Sequence, residues 1–223
     1  MRAFMQHITE QLRFAKSSYR KGNDTFMATR VVDIKCPNCG SAVDTGQKTC
    51  KYCKQPVIIS TFNSVYEMPA PLLNQYANTY RQALAVSPED KELNNSIAMC
   101  YLKLGLYDKA ITAFEKAIEA NFDNSETYFY CAICLLKGKK AYLTLRPEID
   151  KILTYLDAAI SIEPKGIYYY FLAYIKYDYF ERKRYVTSPT YTEVLAQASV
   201  AGLSDFDVEQ LYGILKVSKP ECL

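Results

Sequence analysis

Apolar residues recur along this chain in two rhythms, and the change between them falls near residue 70. Phe4, Ile8, Leu12, Ala15 and Tyr19 follow steps of three and four, which predicts an amphipathic helix over residues 4–19, closed by Gly22-Asn23-Asp24. Val31, Val32 and Ile34 then predict a short strand leading into Cys36, and Val57-Ile58-Ile59 an extended run leading out after Cys53. Met68-Pro69-Ala70-Pro71 closes that region. From residue 71 the pattern is helical and repeats every 34 residues: Tyr80 maps to Phe114, Ala83 to Ala117, Leu84 to Ile118, Ala98 to Ala132, Cys100 to Cys134 and Lys103 to Lys137. Aromatic falls on aromatic and small on small. Such recurrence means that one supersecondary unit is stacked on its neighbour.

Two Cys-x-x-Cys pairs interrupt the first rhythm. Cys36/Cys39 and Cys50/Cys53, in CPNCGSAVDTGQKTCKYC, supply four thiolates at a spacing that closes a tetrahedron around Zn²⁺ and leaves no position for a substrate. A loop this small buries too little apolar area to order itself, and a metal supplies the missing folding free energy, on the order of 10–16 kcal/mol. The stretch resembles the zinc-ribbon family over residues 31–62, which implies two short turns carried on a small β-structure around a structural Zn²⁺. Gly40 after Cys39 suits the left-handed backbone such a turn needs, and Lys54 occupies the matching place after Cys53.

Composition narrows the chemistry. The chain has 223 residues, room for one or two domains with a real core, and 49% of them are hydrophobic. No stretch is long and uncharged enough to span a bilayer, and MRAFMQHITEQLRFAK lacks the continuous apolar run of a signal peptide. We therefore expect a cytoplasmic protein in which paired cysteines mean metal rather than disulfides. The formal charge is +3, and a loaded four-thiolate site brings it to about +1, close to neutral. Positive charge is concentrated at the start: residues 1–35 carry Arg2, Arg13, Lys16, Arg20, Lys21, Arg30 and Lys35 against Glu10, Asp24 and Asp33. His7 is the one histidine, which removes most general-base and catalytic-zinc schemes.

Residues 91–124 carry the densest motif. Ile97-Ala98-x-x-Tyr101, Gly105-x-Tyr107-Asp108-Lys109-Ala110 and Phe114-x-x-Ala117 together resemble a tetratricopeptide repeat (TPR), although Asn94 and Ala98 stand where that family often has a large aromatic and a glycine. Tyr80-x-x-Ala83-x-x-x-x-Pro88 resembles the second helix of a preceding unit whose first helix is not recognisable. Tyr128-x-x-Cys131-Ala132-x-x-Leu135 opens the next unit, which carries eight extra residues around GKKAYLTLRPE before Leu156-x-x-Ala159-x-x-x-x-Pro164, and Tyr168-x-x-Phe171-Leu172 opens another. The resemblance covers residues 71–185. It implies a mainly α protein, a TPR-like helical-repeat superhelix with a small N-terminal β zinc ribbon. Residues 186–223 then form capping helices and a tail, with helix starts at Ser188-Pro189 and Ser204-x-x-Asp207.

The first helix of each such pair lines a groove. Carried over, that groove presents Asn95, Met99, Lys103, Phe129, Ile133, Lys137, Tyr169, Ala173 and Lys176, an apolar strip with a lysine at one end of each helix. It suits a peptide or protein partner with an acidic group or a free C-terminus. The expected function is a non-enzymatic interaction scaffold. The alternative is a nucleic-acid-associated regulator using the basic N-terminus, the ribbon with Lys48, Lys51 and Lys54, and the Tyr/Arg-rich stretch YYYFLAYIKYDYFERKRY. In that stretch Tyr170, Tyr174 and Tyr177 are expected to form a buried face. Cys131 and Cys134 lie on one face of a helix and read as small buried residues, and Cys222 as exposed.

Overall fold

The computed structural model describes residues 31–223, so the helix expected over residues 4–19 lies outside the described residues, with most of the basic segment. Residues 32–223 form one compact unit. It begins with a two-stranded antiparallel sheet, β1 (Asp33–Lys35) and β2 (Ala42–Asp44), in the register Asp33↔Asp44, Ile34↔Val43 and Lys35↔Ala42. Helices follow: α1 (Asn63–Tyr66), α2 (Ala70–Val86), α3 (Lys91–Lys103), α4 (Tyr107–Ala120), α5 (Ser125–Leu135), α6 (Arg146–Ile162), α7 (Gly166–Ile175), α8 (Tyr191–Val200) and α9 (Asp205–Leu215).

The helices start where the local chemistry supplies a cap. Asp90 accepts from the Leu93 N–H at 2.9 Å at the head of α3, and Asn124 accepts from Glu126 and Thr127 at the head of α5. Pro71 and Pro147 sit in the first turns of α2 and α6, where a missing N–H is harmless. Ser204 caps α9 through a capping box with Asp207, as its spacing predicts. The other expected start is displaced. Thr190 rather than Ser188 caps α8, because Glu193 stands three residues after Thr190 and returns the hydrogen bond at 2.7 Å.

The 34-residue period has a steric cause. Tyr80 and Phe114 are both fully buried, as are Ala98 and Ala132, and Cys100 and Cys134. Each pair fills the same niche in successive layers: α3 with α4, then α5 with α6, then α7 with α8. Gly105, at φ +76°, makes the tight turn from α3 to α4. The extra residues between α5 and α6 form a short 3₁₀ turn, Ala141–Leu143. Beyond Ile175 the chain widens into a π-turn, Lys176–Phe180, which carries the buried Asp178 to that insertion. There Asp178 accepts from the Tyr142 N–H at 2.8 Å and pairs with Arg182, whose guanidinium stacks on Tyr142 at 4.5 Å. Within the aromatic-rich stretch Tyr170 and Tyr174 are buried, whereas Tyr177 is half-buried against Tyr191.

The run Val57-Ile58-Ile59 departs from the reading of an outgoing strand. The partner of β1 is β2, and residues 57–59 pair with no strand. Val57 N–H donates to Lys48 O at 2.9 Å beside an isolated Thr49–Pro56 bridge, and helix side chains satisfy further backbone groups. Tyr80 Oη donates to Val57 O at 2.8 Å, Ser96 Oγ accepts from Ile59 N–H at 2.9 Å, and Tyr76 Oη donates to Pro56 O at 3.0 Å. Buried backbone must find partners somewhere, and here α2 and α3 supply them. Gln75 also reaches Asn38 O at 3.2 Å, so the cysteine-bearing segment is packed against the helices beyond Met68–Pro71.

Candidate functional site

The four cysteines sit on two turns of the same construction. In the first, Gly40 N–H donates to Cys36 O at 2.9 Å and Cys36 N–H to Ser41 O at 2.7 Å; in the second, Lys54 N–H donates to Cys50 O and Cys50 N–H to Gln55 O, each at 2.9 Å. Both Gly40 and Lys54 take a left-handed backbone, with φ of +76° and +62°. The lysine meets the same conformational demand as the glycine despite its Cβ.

All four Sγ atoms lie within 4.8 Å of one another. Cys36 and Cys53 are 3.6 Å apart and Cys39 and Cys50 are 3.8 Å apart, and none forms a disulfide. Four sulfurs about 2.3 Å from one ion stand about 3.8 Å from each other, so the cluster has the size of a tetrahedral thiolate site and could hold a metal ion. Burial pushes the Cys36 thiol up to about 12, whereas the Cys53 backbone N–H and then Ser41 pull Cys50 down to about 6. Ser41 also lowers Cys39, its hydroxyl lying 3.1 Å from that sulfur and 3.4 Å from Cys50. The groups that favour thiolate at Cys39 and Cys50, the Ser41 hydroxyl and the Cys53 N–H, belong to the turns themselves. Cys100, Cys131 and Cys134 are different: they are fully buried among helices, where desolvation raises their thiols.

The face formed by the first helices α3, α5 and α7 is largely covered. Ile59, Phe62 and Val65 of the segment leaving the second cysteine turn are buried on it. Asn95 donates to Ile59 O at 3.4 Å and accepts from Thr127, Met99 and Ile133 are buried, and Phe129 stacks against Tyr168 with ring centres 4.8 Å apart. Ala173 is buried and Tyr169 is half-buried. The three lysines are not brought together. Lys103 lies over the Tyr66 ring at 4.6 Å, Lys137 pairs with Asp108 on α4 at 2.6 Å, and Lys176 is set beside Asp157 and Glu193.

Helix α9 completes the cover. Tyr212 packs edge-on to Tyr170 and Tyr174, and Leu211 and Ile214 face Phe129, Tyr130 and Tyr168 across a cavity of about 240 Å³. The cavity has a mixed lining, apolar at Phe129, Ile167, Leu211 and Ile214 and polar at Thr61, Asn63 and Gln210, with Lys165 paired to Glu126 at 3.1 Å and Glu163 at 3.0 Å. Burial works against the Lys165 ammonium, but its hydrogen bonds to Glu163 and Glu126 more than offset this and raise its pKa. The sequence reading missed this cover. Its signals were the apolar run Val57–Ile59 with Phe62 and Val65, and the stripe Val208, Leu211, Ile214, Leu215.

Residues 92–124, which span α3 and α4, match the family model of the tetratricopeptide repeat. No curated protein matches the chain. Among solved structures, MamA MSR-1 C2 is similar at 16% identity and a TM-score of 0.44, over 68% of this chain and 73% of that one. The family-model match falls on the densest sequence motif and on the pair α3–α4. This chain therefore carries a tetratricopeptide repeat at residues 92–124 within a longer array of helix pairs, preceded by a four-cysteine cluster that fits a zinc ribbon.

Proposed function

We propose that the protein is a non-enzymatic interaction scaffold that takes a peptide or protein partner on the face of α3, α5 and α7, and that Cys36, Cys39, Cys50 and Cys53 hold a structural Zn²⁺. The observation that carries the reading is the cavity on that face, with apolar walls at Phe129, Tyr130 and Tyr168 beside the Lys165–Glu126 pair. An apolar floor with a few fixed charges is the usual make-up of a recognition site. Zinc is supported by the sulfur spacing and by a donor set of four thiolates, which a tetrahedral d¹⁰ ion satisfies without a preferred open position. Four cysteines kept as thiolates need a reducing compartment, which supports a cytoplasmic setting.

The partner face can be tested by placing a photo-crosslinking residue at Ile167, on the cavity, or at Lys116, on the exposed side of α4. Covalent adducts should form from position 167 and not from 116. Equal yields, or none from 167, would remove the assignment.

A second reading, nucleic-acid contact by the cysteine turns, is favoured by one observation. Tyr52 is 64% exposed with the Lys51 ammonium 5.2 Å from its ring centre, and Lys48 and Lys54 are exposed nearby. An exposed aromatic among lysines stacks on bases and neutralises phosphates. Filter binding of single-stranded RNA and DNA over a salt series decides it: the reading requires affinity that falls steeply with salt and is lost on Tyr52→Ala.

A further inference from the structure

Helix α9 is seated on the face where the proposed function puts the partner, and its own make-up says how firmly. Its buried residues, Val208, Leu211, Ile214 and Leu215, follow one helical stripe, while Phe206 on the outer side is 61% exposed. Gly213, in the last part of the helix, has the lowest helix propensity short of proline. A Cβ at Gly213 would stand 3.1 Å from the Tyr66 hydroxyl. The helix then ends at Lys216 in a left-handed conformation, at φ +56°, which a glycine would adopt without strain. Gly213 and Lys216 thus disfavour the end of the helix, whereas the Ser204–Asp207 capping box favours its start. Its base is fixed. Gly166 N–H donates to Ala201 O at 3.1 Å and Leu203 N–H to Ala198 O at 3.2 Å, pinning the α8–α9 turn against the start of α7. Helix α9 thus extends from an anchored turn, and the tail after it, residues 218–222, lines a second cavity with Tyr174, Tyr177 and Asp178.

Helix α9 is acidic, and two lysines stand near it, one of which, Lys165, is also paired with Glu126 and Glu163. Residues 205–215 carry Asp205, Asp207 and Glu209 and no basic residue. Asp207 lines the cavity with Lys165, and Lys103 lies against Tyr66, the ring that Gly213 approaches.

We infer that α9 is a plug held in cis, and that the partner is an acidic amphipathic helix that displaces it by presenting large apolar residues at the same spacing (i, i+3, i+6 and i+7). This rests on the proposed partner face. It adds that the face is closed in the resting chain and that affinity is set by competition with α9. A partner that binds only the plug-free state has its apparent affinity reduced by the fraction of chains in that state. Opening moves one helix about Ser204 and leaves the pairs α3–α4 to α7–α8 intact.

The probe is a fluorescent synthetic peptide of residues 204–217, titrated by anisotropy into the full-length chain and into the full-length double variant Leu211→Asp, Ile214→Asp. The variant should bind the peptide at least tenfold more tightly than the unaltered chain while keeping its helical circular dichroism. Equal affinities, or no binding by a folded variant, overturn the plug. Should the variant fail to fold, hydrogen exchange on the unaltered chain decides. The α9 amides must exchange faster than those of α5 and α7, and equal protection makes α9 a fixed cap. Failure of the partner face is a separate result: adducts at Ile167 with equal peptide affinities refute the plug alone, whereas absence of adducts refutes the face on which it rests.

Discussion

At the scale of single residues, the two cysteine turns are a matched experiment. They share their backbone hydrogen bonds and a left-handed residue directly after the second cysteine, and differ in that Gly40 fills it in one and Lys54 in the other. An L-residue there costs roughly 1–2 kcal/mol relative to the right-handed region, which glycine avoids at the expense of a more flexible unfolded chain. Lys54→Gly should therefore stabilise the second turn by about 0.5–1 kcal/mol, and Gly40→Ala should destabilise the first by a similar amount. Nothing lies within 4 Å of a Cβ at Gly40, so conformation and not crowding sets that second value. Competition with a chromophoric chelator would register the two changes as opposite shifts in zinc retention. Shifts of the same sign would mean that the backbone conformation is not what limits the site.

At the scale of elements, the most sensitive joint is where α7 begins. Gly166 is in the first turn of α7, and a Cβ there would stand 2.5 Å from Leu203 N and 2.7 Å from Leu203 Cα. Alanine is the better helix former by about 1 kcal/mol, but two backbones cannot absorb an overlap of this size. Overpacking of this kind costs about 1–3 kcal/mol or more, so the clash outweighs the propensity. Gly166→Ala should lower the midpoint of thermal unfolding and raise hydrogen exchange across residues 198–204, the turn from which α9 departs. How much of this was legible beforehand follows from the reach of each signal. The helix pairs were readable because Ala98, Phe114, Ala117 and Ala132 report contacts made within a repeat or with the next one. Ser204 with Asp207 was readable because a cap acts over three residues, although Thr190 with Glu193 was overlooked in favour of the more conspicuous Ser188-Pro189. The covering of the face was not readable. The contacts of Ile59 with Ser96, Phe62 with Tyr130, and Tyr212 with Tyr170 span 37 or more residues and follow no period. The partners of the lysine row were not readable for a related reason. Identical spacing sets the position of a side chain on its helix, but Lys137 turns to Asp108 and Lys176 to Asp157 and Glu193.

At the scale of the whole molecule, the cysteine turns and the repeats are one structure joined by buried hydrogen bonds. Tyr76, Tyr80 and Ser96 hold residues 56–59, and Val57, Ile59 and Val65 are fully buried. Removing the metal with a chelator should then do more than unfold residues 31–62. Amides of α2 and the first half of α3 should lose protection with them, while α5 to α8 keep theirs. A loss confined to residues 31–55 would show that the helices hold residues 56–66 unaided, and a loss spreading evenly to α8 would show that the array has no local end. Far-UV circular dichroism alone does not separate these outcomes; residue-resolved hydrogen exchange does.

Helix α2 resembles the second member of a pair, and among the described residues no full-length helix precedes it. Before it lie residues 56–62 and the short helix α1, tied to the cysteine turns at one end and to Tyr76 and Tyr80 through Pro56 and Val57. A stack of like units with one raw face is a building block that can be continued by the next molecule, and head-to-tail growth has no natural stopping point. If the four cysteines hold Zn²⁺ as proposed, the metal would keep residues 56–66 in place over this end of the described helices. Chelated protein should sediment as a concentration-dependent series of larger species, and restoring Zn²⁺ should return it to its starting size.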